Sequence, residues 1–264
     1  MERSTVDTGP SWAEVAHRIR AGDVLPEPWE SLFGPLRGTS RPGAMVVGQI
    51  GQSIDGRIAT PSGHSHYING PAGLDHLHRL RSVVDAVIVG AGTVRTDDPQ
   101  LTVRRVPGPN PARVVIDPGG TLGTSARVFA ADGTRRIVIT LEGTRLRIPD
   151  DIETIALPGS RALLDPGAIL DALSARGLRR VLVEGGARTV SHFLAAGCLD
   201  RLHVMVAPVI VGSGIPGLAL PPIDRMTDAL RMPIHTHLLG DEVLFDCDLS
   251  AWPQRRLVPC PRQM

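Results

Sequence analysis

The chain contains no lysine; all 28 of its basic side chains are arginines. That absence removes a Schiff-base mechanism, a P-loop lysine and the Tyr-x-x-x-Lys pair of one dehydrogenase class. Cysteine is scarce. Cys198, Cys247 and Cys260 are odd in number and lack C-x-x-C spacing, which argues against a disulfide framework and a thiolate zinc site and points to a reducing cytoplasm. Charge of either sign is not in excess: 28 basic against 27 acidic residues give a formal +1. There is thus no basic field for nucleic acid and no anionic surface seeking a cationic partner. No apolar run approaches the ~18 residues of a membrane span, and MERSTVDTGPSW lacks the basic-then-apolar pattern of a signal peptide. The expectation is a soluble protein with no membrane contact.

What is present is an α/β pattern. A length of 264 residues suits one large domain or two small ones. Residues 1–40 read as an N-terminal arm: Ser11 and Glu14 form a possible capping box for a short helix ending at Gly22, and proline and glycine then dominate. Trp12, Trp29 and Phe33 are too much aromatic area to leave in water, so the arm is expected to dock on its own body or on a second subunit. Residues 41–250 form the expected catalytic domain and 251–264 a tail. Within the domain, AMVVGQIGQS, DAVIVG, ARVVID, RRIVIT, ETIAL and RRVLVE read as strands. PAGLDHLHRLR, DPGAILDALSARG and GGARTVSHFLAAG read as helices, with Asp165 as N-cap and Pro166 in the first turn of the second. The strand-rich end, RLHVMVAPVIVG, IHTHLL and EVLFDCDL, has no long helix and is expected to add antiparallel edge pairing to a mostly parallel sheet.

In such a sheet, ligands bind beyond the carboxyl ends of the strands. Two ends are glycine-rich: VIVGAGTV (87–94), with Gly90, Gly92 and Thr93, and VLVEGGART (181–189), with Glu184, Gly185 and Gly186. Glycine allows close approach of a ligand to the backbone, and a helix N-terminus favours an anionic group such as a pyrophosphate. Neither turn matches G-x-G-x-x-G, and each alone is ordinary turn chemistry. The stretch TDDPQLTVRR (96–105) adds Asp97, Asp98, Arg104 and Arg105, and arginine is the usual fork for phosphate. Taken singly, these residues also suit a turn and a solvated face.

Three H-x-H pairs, His64/His66, His76/His78 and His235/His237, invite a metal reading. Positions i and i+2 of a helix face different ways, so His76 and His78 could not share an ion, and no metal is expected.

Taken together, SIDGRIA (53–59), GHSHYI (63–68), VGAGTVRTDDPQLTVR (89–104), RVVID (113–117), VEGG (183–186) and APVIVG (207–212) resemble the reductase domain of bacterial riboflavin biosynthesis deaminase-reductases. The resemblance covers about residues 45–248. It implies a dihydrofolate-reductase-like fold and NADPH-dependent reduction of 5-amino-6-(5-phosphoribosylamino)uracil, a phosphoribosylated aminopyrimidine, by hydride delivery to the sugar C1′. Carried over by position, the cofactor contacts fall on Gly51, Tyr67, Thr93 and Asp97. They continue along the second turn and helix start, through Gly185, Gly186, Ala187, Arg188, Thr189 and Val190 to His192. Tyr67 stands where the family often has tryptophan. Substrate contacts fall on Ser65, Arg81, Leu101, Arg104 and Glu184, with Asp97 and Glu184 as the catalytic candidates. Ser65 would face the sugar phosphate, His64 and His66 would be supporting or exposed, and Arg188 would meet the adenosine 2′-phosphate. The family's zinc deaminase signature, H-x-E with P-C-x-x-C, is absent from the chain. Such reductases are commonly homodimeric. Other expectations left open are reduction of a different pteridine, pyrimidine or imine, and a non-catalytic nucleotide-binding protein.

Overall fold

A computed structural model describes residues 10–37, 44–65, 68–160 and 164–250. Its centre is a nine-stranded sheet in the order β10-β11-β8-β1-β7-β3-β4-β5-β6. The parallel strands are β1 (Met45–Ser53), β3 (Ala86–Gly90), β4 (Ala112–Ile116), β5 (Arg136–Leu141), β6 (Glu153–Leu157), β7 (Arg180–Val183) and β8 (Arg201–Ala207). The hairpin β10 (Ile234–Leu239) and β11 (Glu242–Asp248) closes one edge in antiparallel sense. A separate small ribbon pairs β2 (Arg57–Ala59) with β9 (Ile215–Pro216). Near-continuous apolar runs such as AVIV in β3 follow from burial on both faces.

The strands alternate between two cores. On one face Val47, Val87, Val89 and Val115 meet α3 (Pro71–Val83), through Leu80 and Val83, and α4 (Ala91–Asp97), through Val94. On the other, Val46, Ile88, Val114 and Val183 meet α5 (Pro166–Ser174) and α6 (Ala187–Ala195), through Ile169, Leu173, Val190 and Phe193. The period of two places successive side chains on opposite faces and makes both layers necessary.

Local signals set the helix ends. Asp165 caps α5 by accepting from the Ala168 N–H at 3.3 Å, with Pro166 at its first position. Ser11 caps α1 (Trp12–Ala21) through Glu14 N–H at 3.4 Å, and Gly22, at φ 80°, ends it in the left-handed conformation. Together with α2 (Trp29–Phe33), α1 lays the arm on α3 of its own chain. Trp12, Val15, Ile19, Leu32 and Phe33 all join the α3-side core. The Trp12 Nε1–H donates to Ser82 Oγ at 3.0 Å, and the Arg79 guanidinium lies 5.7 and 5.2 Å from the Trp12 and Trp29 rings.

Three details differ from the sequence reading. First, β8 is parallel to β1, because α6 supplies the crossover; within the nine-stranded sheet the antiparallel pairings are those of β10 with β11 and β11 with β8. Second, 208–212 is irregular rather than an extension of that strand. Third, AGTVRTD, read only as the sequel of a strand, is the helix α4. The tail 251–264, with Cys260, lies outside the described residues.

Candidate active site

Strands β3 and β7 are neighbours, yet the helices that follow them, α4 and α6, leave toward opposite faces of the sheet. A crevice opens wherever adjacent strands part in this way. Thr93 spans it: its Oγ accepts the Gly186 N–H at 2.8 Å. The glycines are required for this closeness. A Cβ on Gly90 would come within 2.7 Å of Thr189 Oγ1, and one on Gly185, at φ 104°, within 3.0 Å of Thr93 Oγ1. No side chain caps α6, whose N-cap is Gly186, so its first turn is open toward the crevice. Along this helix Arg188 is exposed and Thr189 half-buried. Ala187 and Val190 are buried, so their contact with any ligand would come through the backbone.

Beside the crevice, Glu184 follows β7 directly and is buried. Arg81, on α3, forks onto it: Nε to Oε1 at 2.8 Å and Nη2 to Oε2 at 2.7 Å. The remaining Arg81 nitrogen Nη1 donates to the Thr102 carbonyl at 3.1 Å. The sequence reading treated these two residues as separate substrate contacts; the fold joins them to each other. Arg104 is different. Its head is exposed and donates to Thr102 Oγ1 at 2.7 Å, while its backbone N–H donates to Nδ1 of the buried His78 at 2.9 Å. Burial, then Arg81, Arg104 and Arg105, push His78 down to about 4. Leu101 is in the left-handed region at φ 56° with its side chain in the core, so it can reach substrate only with its backbone. Asp98, also left-handed at φ 39°, accepts the Arg127 N–H at 2.8 Å and fastens the end of α4 to the turn at 127–129. Asp97, the last residue of α4, is exposed.

The loop after β1 forms the far wall and is pinned at both ends. At its start the Asp55 carboxylate takes the Ser53 hydroxyl at 2.6 Å and the Val211 and Gly212 N–H groups at 3.1 and 2.7 Å. The SIDGR and APVIVG segments are therefore two halves of one latch. The Ser53 hydrogen bond, followed by the Val211 N–H, draws Asp55 down to about 2. At the loop's end the buried Glu242, on β11, accepts Asn69 Nδ2 and the Gly73 N–H, each at 2.7 Å, and so caps α3 from a distance. The Asn69 amide occupies the space a side chain on Gly51 would need. Ser65 is half-buried and His64 exposed on the same loop; His66 and Tyr67 lie outside the described residues.

Thr93, the Glu184–Gly186 turn, Arg81 and Arg104 thus converge at the ends of β3 and β7. Gly51 and Ser65 belong to the neighbouring wall. His78, Asn69, Asp55 and Glu242 were not singled out from sequence as site residues; the D-G turn at 55–56 is the one local signal that could have marked any of them. His76 and His78 do face apart, His76 Nε2 lying 3.0 Å from His203 Nδ1. Among the described residues no group of three or more His, Cys, Asp or Glu is placed to hold a metal ion.

The chain as a whole is similar to known proteins. Residues 44–241 fit the model of the RibD C-terminal domain. The 2,5-diamino-6-ribosylamino-4(3H)-pyrimidinone 5′-phosphate reductase of Methanothermobacter thermautotrophicus is 32% identical over 209 residues, covering 76% of this chain and 96% of the relative. The riboflavin biosynthesis protein RibD of Aquifex aeolicus is 36% identical over 169 residues, covering 62% of this chain and 46% of the relative. The chain therefore spans nearly all of the archaeal reductase but about half of that RibD protein. Among solved structures, the Thermotoga maritima diaminohydroxyphosphoribosylaminopyrimidine deaminase/5-amino-6-(5-phosphoribosylamino)uracil reductase superposes with a TM-score of 0.69 at 28% identity, covering 84% of this chain and 61% of that one. The chain belongs to the RibD C-terminal domain family.

Proposed function

We propose that the chain is an NADPH-dependent reductase of a phosphoribosylated aminopyrimidine in riboflavin biosynthesis, turning a ribosylamine into a ribitylamine. The observation that carries this reading is the convergence of a glycine-walled crevice with a buried Arg81–Glu184 pair and an exposed arginine, Arg104. A dinucleotide reading is supported by the close approach that Gly90 and Gly185 allow between the two turns and by the uncapped α6, which offers N–H groups to a pyrophosphate. Thr93, Asp97, Gly51, Tyr67 and the run from Gly185 to Val190 would hold it, with exposed Arg188 meeting the 2′-phosphate that distinguishes NADPH. When bound, the reduced nicotinamide supplies the hydride that reaches C1′ of the open-chain imine.

The chain's own residues bind and orient. Arg104 would offer a planar fork to the dianionic sugar phosphate, and Ser65, half-buried on the loop after β1, would add a hydroxyl. Glu184 spends one acceptor site per oxygen on Arg81 and retains others for an N–H or O–H of the substrate. Its negative charge favours the iminium form of the electrophile, while Arg81 fixes its direction. The imine nitrogen must take up one proton for each hydride accepted at C1′, and Asp97, exposed at the end of α4, would relay it.

The test is consumption of NADPH by purified protein with the phosphoribosylaminopyrimidine, and then with dihydrofolate. Oxidation with the first substrate alone supports the assignment. Binding of NADPH without consumption across both would overturn it in favour of a nucleotide-binding protein.

We also assign a homodimer joined along the β10 edge. That strand leaves ladder groups unpaired and exposes Ile234 and Leu238, the latter 75% exposed. Light scattering on Leu238→Glu should report a monomer where the native chain reports a dimer. We place the chain in the cytoplasm, a reading supported by the free thiol of the buried Cys247. No helix among the described residues is long and apolar enough to cross a membrane.

A further inference from the structure

We infer that His78 is a positioning residue of this site: its neutral imidazole holds the Arg104 backbone and so aims the Arg104 guanidinium at the substrate phosphate. The inference rests on the reading of Arg104 as a phosphate contact, but its structural half stands on its own. The 101–104 loop has little internal support. It contains no helix or strand, and it starts from the left-handed Leu101. Besides the Val103 N–H, which Asn110 Oδ1 accepts at 2.7 Å, two hydrogen bonds from α3 define its path: Arg81 Nη1–H to the Thr102 carbonyl at 3.1 Å, and the Arg104 N–H to His78 Nδ1 at 2.9 Å. The second lies at the residue that carries the guanidinium. Loss of a few tenths of an ångström there moves a long side chain by more at its tip.

The bond fixes the tautomer. Because Nδ1 accepts, the proton of the neutral ring is on Nε2. A second proton would go to Nδ1 and destroy the acceptor. Every charged group facing His78 bears on this: Arg81 from its own helix, Arg104 and Arg105 from the loop, all opposing protonation, and Asp75 from one turn back, favouring it. Burial, reinforced by these cations, outweighs Asp75, and the ring remains an acceptor at neutral pH. Arg105 is exposed as well but is held by Asp75 at 2.5 Å, whereas Arg104 has no carboxylate partner among the described residues. A surface role does not explain a histidine only 3% exposed on a helix whose other apolar positions already fill the core.

Two substitutions separate positioning from packing. His78→Asn keeps an acceptor oxygen near the Nδ1 position, whereas His78→Leu fills the space without one. Hydrogen exchange at the Arg104 amide reads the bond directly and needs no turnover. Protection should fall at least about tenfold in His78→Leu and largely return in His78→Asn, following the loss of one hydrogen bond. In the reductase assay KM for the phosphorylated substrate should rise about tenfold in His78→Leu with a smaller change in kcat, while affinity for the dephosphorylated riboside should change little. Unchanged exchange in His78→Leu overturns the inference, as does an equal loss of affinity for both substrates or an equal KM defect in both variants. If the amide behaves as described and the protein reduces neither substrate, the proposed function fails and the His78–Arg104 bond stands without a phosphate to serve.

Discussion

Among the described residues two buried arginine–carboxylate forks have nearly the same geometry and different surroundings. Arg201 grips Asp246 through Nε at 2.7 Å and Nη2 at 2.6 Å, within the β8–β11 ladder. Arg81 grips Glu184 at 2.8 and 2.7 Å, between α3 and the end of β7. Asp246 is enclosed by cationic and imidazole partners. His203 Nε2 lies 3.2 Å from its Oδ1, His76 lies behind His203, and Arg201 also reaches Asp248 at 3.4 Å. The end of this chain, His76 Nδ1, is buried without a hydrogen-bond partner and faces no open crevice. Around Glu184 the walls are glycine, the next loop ends in an exposed arginine, and the helix beyond is uncapped. The ion pair alone does not mark a functional site; unfilled acceptor capacity beside an open crevice does.

Removing one partner of each fork tests that distinction. Asp246→Ala should have the largest effect on stability, since it leaves Arg201 and His203 buried without their anion; a loss of about 3–5 kcal/mol is expected from urea unfolding. Glu184→Gln should fall instead on turnover. It keeps an acceptor for Arg81 but removes the charge, and kcat should drop about a hundredfold, roughly 2.7 kcal/mol, with a smaller shift in unfolding midpoint. A Glu184→Gln enzyme as unstable as Asp246→Ala, with normal kcat per folded molecule, would make the two forks alike. Arg104→Ala should raise KM about tenfold, with little change in stability because its head is exposed.

How much of this contrast could be read in the chain itself depends on sequence separation. The strands were legible because burial on both faces demands unbroken runs such as AVIV and RVLV. The capping of α1 and α5 was legible because the cap and its acceptor lie within one turn. Helix α4 was not, because seven residues with a glycine carry too little periodicity to separate from a turn. Arg81 and Glu184 were each singled out, but their pairing spans 103 positions and exists only because α3 crosses over β7 on its way from β1 to β3. The same holds for Glu242, which caps a helix 169 positions earlier. Residue types announced the chemistry, and topology decided which of them would meet.

Acid should expose the difference between buried histidines and paired carboxylates. Burial lowers His76 well below 6.5, with His203 and Arg79 adding to it, and His78 lies near 4. The unfolded chain therefore binds more protons than the folded one between about 4 and 6.5. Stability is fully present above 6.5 and declines as pH falls through that window. The aspartates act lower. Burial would raise Asp246, but its hydrogen bonds from His203 and Arg201 hold it far below the usual range, and Asp55 lies near 2, so their share is lost only below about 3.8. Urea midpoints at pH 7, 5 and 3.5 should fall in sequence, and His78→Asn should flatten the upper part of that decline while leaving the lower part. A native midpoint that is constant from pH 7 to pH 5 would mean the histidines are not held neutral by the fold.

The smallest expected effect concerns the arm. Trp12→Phe keeps an aromatic ring against Trp29 and Phe33, whose centroids lie 5.4 and 5.0 Å from that of Trp12, but removes the Nε1–H bond to Ser82 Oγ. Ser82 is left with its own donation to the Arg79 carbonyl at 2.8 Å, so no buried hydroxyl proton is orphaned and the cost should be about 1 kcal/mol. Because Arg79, Leu80 and Ser82 flank Arg81 on α3, a loosened arm has a short route to the Glu184 fork, whereas its route to the Arg201 fork is longer and runs through Phe33, His76 and His203. Kinetics of Trp12→Phe should accordingly show a small loss of kcat/KM, about twofold, when its stability loss is matched to that of a conservative change near Asp246, such as Cys247→Ser, that leaves kcat/KM alone. Equal kinetic behaviour of the two would place the arm outside the workings of the crevice and reduce it to a cover for the α3 core.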